Sequence, residues 1–135
     1  MNWVVTKMKW IMLVAGALTC TMFYAAIAPQ AALLSNFGAT LEGPLAELIV
    51  RNWGALIGLM GVMLIYGAFD PPSRPLALTV AGISKLVFIG LVLAQGNRYL
   101  SYQAGIAVVV DLVMVTLFIL YLIGLRRTRS SLHQK

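Results

Sequence analysis

Long apolar runs alternate with short polar breaks along this chain, and the runs have the length of bilayer crossings. A helix needs about 20 apolar residues to cross the hydrocarbon core. Four stretches reach that length: 10–28, 48–69, 76–94 and 103–125. Proline and glycine mark the junctions at Pro29, Gly43-Pro44, Pro71-Pro72, Pro75 and Gly96. Pro44 and Pro75 suit the first turn of a helix, where the missing N–H is not needed. The pattern predicts an all-α polytopic membrane protein, one domain built as an antiparallel bundle of four transmembrane helices. Its long outer loop, 30–47, reads "QAALLSNFGATLEGPLAE" and suits a short helix lying flat on the membrane. The inner loop "DPPSRP" is a tight turn, and 126–135 forms a polar, frayed cytoplasmic tail. Lys7, Lys9 and "Ala26-Ile27-Ala28" imitate a signal peptide, but the run is long for one and proline follows it, so it is read as a true span.

Composition sharpens this picture. Hydrophobic residues make up 61% of the 135 residues and charged residues 10%, against about 45–50% and 25% in soluble proteins. The net charge of +6 is laid out at the ends of apolar runs rather than as a basic stripe with interleaved aromatics, which excludes nucleic-acid binding. With four spans, Lys7, Lys9, Arg74, Arg126, Arg127, Arg129 and Lys135 fall on one side, and only Arg51 and Arg98 on the other. That asymmetry sets both termini in the cytoplasm. Trp3 and Trp10 then flank the inner interface, and Trp53, Tyr99 and Tyr102 the outer one. One cysteine, Cys20, and one histidine, His133, offer neither a disulfide nor a ligand set for zinc, haem or an iron–sulfur cluster. No cofactor or metal is expected, and the methionines read as packing residues.

Two charges lie deep within spans. The turn between the third and fourth spans is centred near Arg98, with Lys85 thirteen residues before it and Asp111 thirteen after. An antiparallel hairpin sets them at equal depth, so a buried ion pair is expected. The Lys85 face carries Leu78, Gly82, Phe88 and Val92, and the Asp111 face Ala104, Ala107, Val108 and Val115. Such a pair either fixes hairpin register or forms a proton or substrate site, and the sequence leaves both open. Tyr24, Asn52, Lys85 and Asp111 form the candidate polar pocket, while Ser84 and Thr116 are expected to point elsewhere on their helical wheels. Thr19 and Thr21 suit hydrogen bonds to their own helix carbonyls. Glu47 precedes Arg51 by four residues, the favourable order for a second ion pair. Gly54, Gly58 and Gly61 form a small-residue stripe that seats either a neighbouring span or a second subunit.

The four-span layout, the outer loop ending in "GPLAE", and the stretches "RNWGALIGLMGVMLIYGAF" and "SKLVFIGLV" resemble the DoxX-like group of small bacterial membrane proteins. The resemblance implies a compact four-helix bundle in the bacterial inner membrane, with some members acting as accessory partners of redox and stress proteins. It carries over no catalytic residue. The leading expectation is an accessory, assembly or scaffolding subunit, in contact with the lipid bilayer and with further copies or another membrane protein. The alternatives are a small oligomeric proton-coupled transporter using Asp111 and Lys85, and an intramembrane lipid-modifying enzyme. Four-helix exporters carry a carboxylate in the first span, which this chain lacks, and no histidine is at hand for acid–base work near neutrality.

Overall fold

The structure, a computed structural model, describes residues 2–133; Gln134 and Lys135, the end of the expected tail, lie outside the described residues. The chain runs through α1 (Asn2–Cys20), a 3₁₀ turn at Thr21–Phe23, α2 (Tyr24–Ile27), α3 (Pro29–Phe37) and α4 (Pro44–Phe69). A second 3₁₀ turn at Pro71–Ser73 leads into α5 (Arg74–Ala94), and α6 (Gln103–His133) completes it. No strand occurs among the described residues. Four helical stretches are long and apolar enough to cross a membrane: Thr6–Ile27, Pro44–Phe69, Pro71–Ala94 and Gln103–Thr128.

A short helix forms in the outer loop, where the sequence allowed one, and one helix end differs from the sequence reading. Within the expected outer loop, α3 forms because Pro29 suits its first turn and Gly38 ends it in the left-handed region, φ 69°, donating its N–H to Leu34 O. A side chain at Gly38 would also overlap the Tyr102 ring. At the other extreme, α6 does not stop near Leu125 but continues through the polar segment to His133. No proline or glycine follows Gly124 to end the helix.

The spans form a ring. α1 packs on α4 and α6, and α5 packs on the same two, while the backbones of the diagonal pairs, α1 with α5 and α4 with α6, stay further apart among the described residues. The glycine stripe sets the tightest seam. A Cβ built on Gly61 would lie 2.6 Å from Cys20 N, and one on Gly58 would lie 2.6 Å from the Phe23 ring. Gly54 faces Ala25 and Gly16 faces Ile65, so residue numbers fall along α4 as they rise along α1 and α2, which is antiparallel packing. Close approach of this kind is the use of small residues between apolar helices.

The core is uneven. Met8, Met12, Leu64, Leu78 and Phe118 fill the half of the bundle that holds the chain termini. Toward the α3 end the buried apolar cluster thins to Ile89, Val92 and Val108. That asymmetry creates the site.

Candidate functional site

A cavity of about 370 Å³ occupies the thinly packed half, walled by all four spans and by Asn36 of α3. The size falls in the usual range for small-molecule sites, roughly 300–1,000 Å³. On α5, Lys85 stands on the inward face with Leu78, Gly82, Ile89 and Val92, all buried. On α6, Asp111 lies between the buried Val108 and Met114. The short turn between these helices pairs them, and Lys85 Nζ donates to Asp111 Oδ1 at 2.8 Å. It is the only salt bridge among the described residues. The two side chains are 10% and 16% exposed, and both line the cavity. An ammonium carries three N–H donors and a carboxylate two acceptor oxygens. One donor and one oxygen meet each other, and the remainder have no protein partner among the described residues.

Around this pair the polar residues divide into satisfied and free. Thr19 donates to Ala15 O and Thr21 to Leu18 O, the self-satisfied arrangement expected of threonine in a helix. Thr116 does the same toward Leu112 O, on the outer surface. Ser84, by contrast, lines the cavity beside Lys85 rather than pointing away, and its hydroxyl has no partner among the described residues. The cavity is wide enough to span two helix positions about 100° apart.

Tyr24 also lines the cavity, but its role is to fasten α3. Its Oη lies 2.7 Å from Ser35 Oγ and accepts from Asn36 Nδ2 at 3.1 Å. Phe37 adds ring contacts to Trp53 and Tyr99, with centroids 6.0 and 5.3 Å apart. α3 therefore covers one mouth of the cavity. Asn36, buried on α3, joins the cavity wall through a tertiary contact that run length and spacing do not reveal.

Two expected contacts are corrected. Asn52 is exposed and does not line the cavity; Trp53, Ile57, Met60 and Leu64 do, because their helical spacing points one turn-face of α4 inward. Arg51 does not pair with Glu47. Its Nη1 donates instead to the carbonyls of Ala26 and Ile27, where α2 ends before Pro29 and leaves them without helical partners. Arg74 performs the same service for Gly67 O and Ala68 O at the end of α4. The Gly54, Gly58 and Gly61 stripe is used within the chain, against α1, the 3₁₀ turn and α2. Among the described residues no three His, Cys, Asp or Glu side chains converge as a metal site would require.

Fold and site together define an all-α bundle of four long apolar helices with an ion pair on the wall of a cavity between them. The chain matches no family model, no curated protein and no solved structure. The chemistry of the site rests on its own geometry.

Proposed function

We propose that the protein is an integral membrane protein, with both termini cytoplasmic, that holds a small molecule between its four spans through Lys85 and Asp111. The observation that carries this reading is the location of the pair. Charges in hydrocarbon are costly and are retained when paired or used. A pair serving register alone needs no open space beside it, whereas both members of this one line a cavity of about 370 Å³. The basic flanks support the orientation, and the resemblance of the layout to the DoxX-like group supports a bacterial inner membrane. An accessory role through the glycine stripe is less supported, since α1 and α2 already occupy that stripe.

The test is native mass spectrometry of the protein released from nanodiscs cut directly from its own membrane. Wild type is expected to carry one added small-molecule mass per chain. The charge-neutral double variant Lys85→Met/Asp111→Leu is expected to lose it. An adduct absent from wild type, or unchanged in the double variant, overturns the proposal.

A further inference from the structure

One side of the cavity lies between the first and last spans. Neither the 3₁₀ turn Thr21–Phe23 nor α2 approaches α6 among the described residues. The cavity wall there is made by residues that are themselves exposed on the outer surface, Leu18, Thr21 and Ile106. From that seam a surface groove of about 620 Å³ runs between α1 and α6 toward the chain termini, floored by Trp10, Val14, Val113 and Leu117. Leu18, Val110 and Met114 line both the groove and the cavity, so the two adjoin along these side chains. The α1 wall of the groove runs fifteen residues, from Leu18 to Trp3, about 22 Å at ~1.5 Å per residue, and its α6 wall eight, from Val109 to Leu117, about 12 Å. The α1 wall exceeds, and the stretch walled by both helices approaches, half the ~30 Å hydrocarbon core, the depth of one leaflet.

We infer that the ligand is a single-chain amphiphile with an uncharged hydroxyl head, admitted from the lipid side through the α1–α6 seam, its chain lying in the groove. This rests on the cavity-binding reading above and adds the class of molecule and its route. The head is defined by charge balance. Lys85 and Asp111 already neutralise each other at 2.8 Å, so a phosphate or ammonium head would leave an uncompensated net charge in a low-dielectric site. A hydroxyl adds no charge and has both capacities the pair leaves open. It accepts from a free Lys85 N–H and donates to Asp111 Oδ2, with the unpartnered Ser84 hydroxyl alongside. The tail is defined by the groove, whose floor is apolar over its whole length apart from Lys7 at its far end.

The experiment uses the full chain in phosphatidylcholine nanodiscs with two photoreactive diazirine probes, a hexadecanol and a short water-soluble diol. Crosslinks are mapped by mass spectrometry. The long-chain probe is expected to label the Leu18 and Val110 peptides, and excess plain hexadecanol is expected to suppress the labelling about tenfold, about 1.4 kcal/mol. Leu18→Trp, which fills the seam at an exposed position, is expected to lower it by a similar factor, as is Lys85→Met/Asp111→Leu. Ile106→Trp blocks the opposite wall and serves as a second variant, each one checked for unchanged helix content. Labelling indifferent to these substitutions is what bulk lipid would give and overturns the inference. Cavity labelling by the diol alone also overturns it, while a native one-to-one adduct would leave the cavity-binding reading standing. If neither probe labels the cavity and no adduct is found, both fall.

Discussion

Removing one member of the Lys85–Asp111 pair strands the other charge. Replacing Lys85 by Met leaves a carboxylate that is 16% exposed, and replacing Asp111 by Leu leaves an ammonium that is 10% exposed. Breaking a buried pair in this way costs about 3–5 kcal/mol. The cavity gives a stranded charge some room for water, so each single change is expected near the lower figure, about 3 kcal/mol. The double variant restores an apolar match of similar volume and is expected within about 2 kcal/mol of wild type, a coupling of about 4 kcal/mol. Reversible unfolding by steric trapping in lipid bicelles reads these differences directly. A coupling below about 1 kcal/mol would refute the reasoning, since it would mean the 2.8 Å contact contributes no more than an exposed pair.

Other expectations follow from the packing. Gly61→Leu places a Cβ 2.6 Å from Cys20 N at a backbone that has nowhere to move, and is expected to cost at least about 3 kcal/mol or abolish folded yield. Gly90→Ala meets nothing within 4 Å, and is expected to be neutral or to stabilise by up to about 1 kcal/mol in the same bicelle assay. Arg51→Met strips the Ala26 and Ile27 carbonyls of their donor and is expected to cost about 1–2 kcal/mol, whereas Glu47→Gln stays within about 0.5 kcal/mol. Tyr24→Phe removes the hydrogen-bonded tie to Ser35 and Asn36. Faster amide exchange in α3, with α5 and α6 unchanged, is the expected signature.

What was legible in the sequence was set by period and by depth. The four long apolar helices follow from run length and proline punctuation alone. Lys85 and Asp111 are legible as neighbours because a hairpin converts equal counts from its turn into equal depth. Rotation about the helix axis was harder. Ser84 lies on the cavity wall because a cavity, unlike a packed seam, accepts residues over a wide arc, and Asn52 lies outside it because the inward face of α4 is set by where the core thins. Arg51 was paired with the nearest acid because local spacing is visible in the chain. The two carbonyls it meets are twenty-four and twenty-five residues away, and become available only where α2 breaks before Pro29. The covering role of α3 was beyond reach for the same reason, since the Tyr24 contacts that hold it are tertiary.

The central claim is that Lys85 and Asp111 face a bound molecule and not only each other. Solid-state NMR on isotopically labelled protein, loaded from unlabelled native membrane, tests it at one atom. Magnetisation transferred to Lys85 Nζ from unlabelled aliphatic protons, lost on Leu18→Trp, is the predicted result. A Lys85 Nζ that receives transfer from Asp111 and water alone would contradict it.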